Sequence, residues 1–324
     1  MKKILQLLFF ITILLLSSGI TSRLLSQDKV IIKIFHAGSL SLIFDEIEKN
    51  YEKEYPDVDI VREPSGSMLA VRKVTDLHKK ADIIATADYS LISSFMIPEY
   101  VDLVKLFAKN EMVLTYTGKS KYADKITNKN WLKILEKNDI KWGFSDPSLD
   151  PCGFRTLFSI LLASFYNKNN VFNLLISNNT NIKVVKKNDN SLIILPKDIK
   201  VISRNPVIRR KSVELIGLLE SGYLDYAFEY KSIALQHNLK YISFPDNINL
   251  SNASLKDEYK RVKLRFPEGK EVVAKSITYG ISLIKTSNNK KITQSVMDYI
   301  LGEKGRKIFN KYHQQPIYPA VIVK

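Results

Sequence analysis

Cysteine and histidine are scarce in this chain of 324 residues: Cys152 stands alone, and the four histidines, His36, His78, His237 and His313, lie far apart. A single cysteine excludes an intramolecular disulfide, which leaves Cys152 as a small loop residue or a reactive thiol. No paired-cysteine pattern and no H-E-x-x-H helix offers a metal site, and neither a G-x-x-x-x-G-K phosphate loop nor a G-x-S-x-G nucleophile elbow is present. Metal-site and nucleotide-hydrolase functions therefore gain little support. The apolar run Ile4 to Leu16 is short for a membrane span.

Lys2-Lys3 ahead of that run, and small residues between Ser17 and Ser26, have the layout of a secretory signal. A signal peptide is expected over residues 1–26, with the mature chain secreted across the cytoplasmic membrane to a periplasmic or extracytoplasmic location. No cysteine follows the run, so nothing marks a lipid anchor. Acidic residues are outnumbered 33 to 49 by Lys and Arg, and removal of Lys2, Lys3 and Arg23 with the signal takes the formal charge from +16 to +13. That sign favours an anionic ligand or a membrane surface. The lysines are spread through Lys/Asn-rich segments rather than interleaved with aromatics on one stripe, so no nucleic-acid partner is expected.

About 300 mature residues exceed one typical core and point to two lobes. Strand and helix patterns alternate, which predicts an α/β fold with parallel sheets. Val30 to Phe35, Asp57 to Val61 and Ala81 to Ala87 read as strands, with helices over Leu42 to Tyr55, Met68 to Lys79 and Leu91 to Met96. Further strands are expected over Glu111 to Tyr116, Tyr226 to Tyr230 and Ile277 to Ile284, and helices over Val213 to Leu219 and Thr293 to Tyr312. The last helix is expected to return to the first lobe. Asn/Lys-rich tracts such as Lys186 to Asn190, and the segment Asp246 to Lys260, read as surface turns.

Three polar loops carry the chemistry. His36-Ala37-Gly38-Ser39-Leu40 joins a strand to a helix, Ser65-Gly66-Ser67 precedes another helix, and the loop from Asp146 to Gly153 leads into Thr156 to Leu162. At such a junction the first backbone N–H groups of the helix have no intrahelical partner and the dipole is positive, which makes a cradle for an anion. A plain turn fits each loop taken alone; three together can converge on one oxyanion.

The blocks Phe35 to Leu40, Lys80 to Tyr89, Phe107 to Glu111, Ser145-Asp146-Pro147, Asp150 to Arg155 and Tyr279-Gly280-Ile281 resemble, in order, the molybdate/tungstate-binding proteins of ABC importers, particularly the archaeal branch. The resemblance covers nearly the whole mature chain. It implies a two-lobed type II periplasmic-binding-protein fold with the ligand in the cleft between lobes, no catalysis and no cofactor. The lobes would span residues 27–112, 113–284 and, returning to the first, 285–324. A monomer that hands its oxyanion to a permease and ATPase complex is implied as well.

Carried over by position, Gly38, Ser39 and Ser67 would donate from the first lobe, while Asp150, Pro151 and Cys152 would bound the anion from the second. Donors suit a ligand that brings only acceptor oxygens. The resemblance further implies a direct bond from the Asp150 carboxylate to the molybdenum or tungsten; the alternative is an N-cap role on the following helix. Where the family usually reads Arg-Pro-Lys-Glu, with the Glu a second carboxylate ligand, this chain has Arg209-Arg210-Lys211-Ser212. Ser212 can donate to an oxygen or cap the next helix, but it replaces a carboxylate poorly on a hard metal. Glu229 could take over as metal ligand or sit in the strand paired with Arg or Lys. Asp150 ligation with Ser212 donating is favoured over Glu229, because Ser212 occupies the aligned helix start and Glu229 lies next to Tyr230, which matches the family's binding Tyr and should point to the opposite face. Another oxyanion such as sulfate or phosphate is the alternative cargo. An exported cysteine hydrolase using Cys152 is the alternative class, weakened by the lack of a nearby His and by the adjacent Pro151.

Overall fold

The computed structural model describes residues 29–323 apart from 168 and 188, so the expected signal peptide lies outside the described residues. In chain order the first part contains β1 (Val30–Ala37), α1 (Ser41–Glu54), β2 (Val58–Ser65), α2 (Ser67–Thr75), β3 (Ile83–Thr86), α3 (Tyr89–Phe95) and β4 (Val104–Lys109). The middle contains β5 (Met112–Tyr116), α4 (Trp131–Leu135), β6 (Trp142–Ser145), α5 (Pro151–Tyr166), β7 (Lys183–Lys187) and β8 (Asn190–Ile194). Next come β9 (Val207–Arg209), α6 (Glu214–Glu220), β10 (Tyr226–Tyr230), α7 (Lys231–Gln236), β11 (Lys240–Ser243), β12 (Val262–Arg265) and β13 (Glu271–Val273). The chain closes with β14 (Thr278–Leu283), α8 (Lys290–Leu301), α9 (Glu303–Lys311) and β15 (Gln315–Val323).

A six-stranded sheet in the order β15-β4-β14-β3-β1-β2 forms the first lobe. β1 is parallel to β2 and β3, whereas β14 runs antiparallel to both β3 and β4. The second lobe has a five-stranded sheet, β11-β5-β10-β6-β9, with β6 parallel to β9 and β10 and with β5 antiparallel to β10. The sheets are therefore mixed, with antiparallel strands added to the parallel pairs that the alternation predicts. β3 and β10 are buried at every residue, as burial of both sheet faces by helices requires.

Several expectations are corrected. β14, expected in the second lobe, lies in the first sheet, where its buried Tyr279 and Ile281 stand between β3 and β4. Lys186 and Lys187, expected in a surface turn, end β7, which pairs antiparallel with β8 in a further sheet, β13-β12-β8-β7. That sheet covers α5, with Phe266 edge-on to Phe154 at 6.3 Å. The helix expected from Thr293 to Tyr312 is two helices broken at Gly302, which has extended backbone. Both belong to the layer over α1: Tyr51 donates to Ser295 at 2.9 Å and Tyr312 to Glu46 at 2.9 Å.

Candidate functional site

The short 3-10 turn Gly38–Leu40 between β1 and α1, the start of α2 and the start of α5 come together where the lobes meet. Across the interface Met68 N–H donates to the Leu149 carbonyl at 3.2 Å. A Cβ placed on Gly66 would stand 2.2 Å from that same carbonyl oxygen, so only glycine lets the two loops approach this closely. A Cβ on Gly38 would lie 3.4 Å from Val213, which brings in the loop carrying Ser212. The lobes are thus shut on one another, and Ser39, Ser67, Asp150, Pro151, Cys152, Ser212, Glu229 and Tyr230 are all buried.

Behind several of these side chains stands a group that can only donate. Ser67 Oγ accepts the Ala87 N–H at 2.9 Å, so its own proton is free to point into the interface. Tyr230 Oη accepts from Arg155 Nη1 at 2.8 Å, which likewise leaves the phenolic proton free. Arg155 also donates to the Ala87 carbonyl at 2.5 Å and pairs through Nη2 with Asp88 Oδ2 at 3.0 Å. Lys275 Nζ lies 3.5 Å from the other Asp88 oxygen. Asp88 stays below the usual carboxylate range: burial raises it, but Lys275, Arg155 and the Ser90 N–H outweigh that. Ser39 Oγ lies 3.0 Å from Tyr279 Oη, and the ring centroids of Tyr279 and Tyr230 are 6.1 Å apart. The Ser65 hydroxyl, in the same loop as Ser67, is buried without a hydrogen-bond partner.

Asp150 caps α5, its Oδ1 accepting the Cys152 N–H at 3.1 Å, while Oδ2 accepts the Ser212 N–H at 2.8 Å. The capping role is therefore real, and Asp150 also ties the Ser212 loop to α5. Each carboxylate oxygen keeps a second lone pair. Burial pushes the Asp150 carboxyl above its ordinary value, against the two N–H donors. Ser212 is not a helix cap, because Val213 precedes the first helical residue Glu214.

Glu229 pairs with neither Arg nor Lys. Its Oε2 accepts the Tyr230 N–H at 2.6 Å and lies 3.6 Å from Cys152 Sγ. Alternation does not send Glu229 away from the site: Glu229 reaches Cys152 and Tyr230 reaches Arg155, one turn apart on α5. Burial, with Asp150 adding to it, pushes the Glu229 carboxyl up to about 8. The same burial, together with the Glu229 and Asp150 charges, holds the Cys152 thiol well above its ordinary value. A buried thiol kept protonated beside two carboxyl groups is no nucleophile.

Arg155, Asp88, Tyr279 and Asn110 were not among the expected site residues. Their only sequence signal was membership in the blocks that carry the family resemblance. Among the described residues no group of three or more His, Cys, Asp or Glu is arranged to hold a metal ion.

Two α/β lobes shut over a set of buried hydroxyl donors define the class of solute-binding proteins. The chain belongs to the bacterial extracellular solute-binding protein family, whose model matches residues 32–314. It is 43% identical over 314 residues to the molybdate/tungstate-binding protein WtpA of Thermococcus kodakarensis, covering 94% of this chain and 88% of that one. To the protein of the same name from Pyrococcus abyssi it is 46% identical over 296 residues, covering 89% and 85%. Among solved structures, the periplasmic molybdate-binding protein of Azotobacter vinelandii superposes with a TM-score of 0.58 at 12% identity, covering 87% of this chain and 98% of that one. The sulfate-binding protein SubI of Mycobacterium tuberculosis gives 0.60 at 12% identity, covering 90% and 88%. These two establish the shared fold. Membership in a solute-binding family removes the cysteine-hydrolase alternative. Among the described residues no helix is long and apolar enough to cross a membrane.

Proposed function

We propose that the protein captures molybdate or tungstate outside the cytoplasmic membrane, in the periplasm or its equivalent, and delivers it to an ABC permease and ATPase. The observation that carries this reading is the direction of the buried hydrogen bonds. Ser67 and Tyr230 accept from the Ala87 N–H and from Arg155 and donate to no group among the described residues, leaving their O–H groups for a guest with acceptor oxygens only. The names of the relatives supply the cargo. In this reading the first lobe comprises residues 29–110 with 278–323, and the second 111–277.

Gly38, Ser39 and Ser67 bind from the first lobe, and Pro151, Cys152, Ser212 and Tyr230 from the second. Asp150, oriented by the Ser212 and Cys152 N–H groups, directs its remaining lone pairs at the metal centre of the oxyanion. Glu229, held largely protonated near neutral pH, is a weak competitor for that bond.

Calorimetric titration of the mature chain with tungstate, molybdate and sulfate tests the reading. Strong heats with the first two support it, and a response to sulfate alone reassigns the cargo. X-ray absorption at the metal edge tests the Asp150 bond, since a plain tetrahedral spectrum excludes carboxylate ligation.

A further inference from the structure

Asn110 stands at the crossover between β4 and β5, and its amide orientation is set by two backbone donors: Oδ1 accepts the N–H of Glu111 at 3.0 Å and of Ser232 at 3.3 Å. The amino group must therefore face the other way, where Ser232 Oγ lies at 2.8 Å and Tyr279 Oη at 3.2 Å. Gln314 Oε1, which receives the Ser232 hydroxyl at 3.1 Å, is the most distant of the three acceptors at 3.3 Å. The two Asn110 protons thus go to Ser232 and to Tyr279. Because the Asn110 amino group can only donate, Ser39 Oγ, at 3.0 Å, is the acceptor left for the Tyr279 phenol proton. Ser39, receiving that proton, keeps its own hydrogen free to offer.

We infer that Asn110 and Tyr279 are positioning residues for the anion, forming a one-way hydrogen-bond chain that turns the Ser39 hydroxyl proton toward the ligand. The inference rests on the binding role proposed for Ser39 and extends it to two residues that do not touch the ligand. Without the chain Ser39 is free to present a lone pair to an anion oxygen, which repels it. Tyr279 and Ser39 are fully or almost fully buried, so water does not take over the task.

The test is a double-mutant cycle read by calorimetry with molybdate. Tyr279→Phe should weaken binding by about tenfold, the effect of one hydrogen bond to a charged acceptor, and should have no further effect in a Ser39→Ala background. Asn110→Asp, which exchanges the donating amino group for a carboxylate oxygen of the same shape, should show the same dependence on Ser39. A general structural role would instead weaken both backgrounds equally, and that result, or an unchanged affinity in Tyr279→Phe, overturns the inference. Should Tyr279→Phe fail to fold, Asn110→Asp alone decides. If the wild-type chain binds sulfate but not molybdate, the cargo is wrong and the cycle is run with sulfate. If it binds no oxyanion, the binding reading falls and this inference with it.

Discussion

Ser67 and Tyr230 each owe their direction to a neighbour that can only donate, a backbone N–H in one case and a guanidinium in the other. Losing such a donor to a charged oxygen in a closed interface removes roughly 1.5–3 kcal/mol, so Ser67→Ala and Tyr230→Phe should each weaken molybdate binding by one to two orders of magnitude. Titration calorimetry measures this directly, and unchanged affinity in both variants places the site elsewhere. His36 poses a different problem, being buried two residues before the Gly38–Leu40 turn with Nδ1 against the Ala37 carbonyl at 2.8 Å. Burial, with Arg62, Lys73 and Lys211 adding positive charge, lowers it from 6.5 to about 4. Because the folded state binds fewer protons between these values, stability from this group is complete above pH 6.5 and is lost as the pH falls toward 4. Over that interval the wild-type chain should lose about 3 kcal/mol that a His36→Gln variant does not, compared by urea unfolding at each pH.

The helix starts do more than present N–H groups. Asp150 caps α5 with one oxygen and anchors the Ser212 loop with the other, so the second-lobe half of the site is assembled by one carboxylate. Gly153, one turn into the same helix, lies so close to β6 that an added Cβ would be 2.1 Å from the Ser145 carbonyl. The turn before α2 is matched as tightly to the Leu149 carbonyl of the opposite lobe. Gly66→Ala should therefore leave the folds of both lobes intact, as judged by circular dichroism, while preventing full closure. Its affinity for molybdate should fall by at least about tenfold, because the strain of an overpacked contact of roughly 1–3 kcal/mol arises only in the shut form. Equal affinity in Gly66→Ala and wild type would mean that binding does not require this contact.

Closure buries an ion pair that bridges the two lobes, Arg155 from α5 and Asp88 from the loop after β3, both nearly inaccessible to solvent. Taking these charges out of water is expensive, and the geometry offsets it: Arg155 has the Asp88 carboxylate, the Ala87 carbonyl and the Tyr230 hydroxyl around it. A ligand that binds only this folded, shut form adds stability by mass action, about 4 kcal/mol at a thousandfold excess over its dissociation constant. Molybdate or tungstate at millimolar concentration should accordingly raise the melting temperature, and sulfate far less. A melt moved by sulfate and by neither of the others refutes the cargo.

Local patterns made much of this readable in advance. The apolar runs of β1 and β10 and the small-residue loops before α1, α2 and α5 showed the strand-to-helix junctions, because burial on two faces and the conformational needs of a turn act within a few residues. The direction of β14, its place in the first sheet and the β7–β8 pairing under Lys/Asn-rich sequence were not readable, since sheet membership depends on partners far along the chain. The same holds inside the site. Ser39 and Asp150 stand in recognisable blocks, Ser67 in a polar loop and Tyr230 at a matched position, but whether a hydroxyl donates or accepts is decided by what lies behind it: Ala87 for Ser67, Arg155 for Tyr230, Tyr279 for Ser39. Each of those pairs is separated by between 20 and 240 positions. Residue type therefore sets which hydrogen bonds are possible, and the tertiary fold, by bringing distant donors and acceptors into one dry interface, decides which way each of them runs.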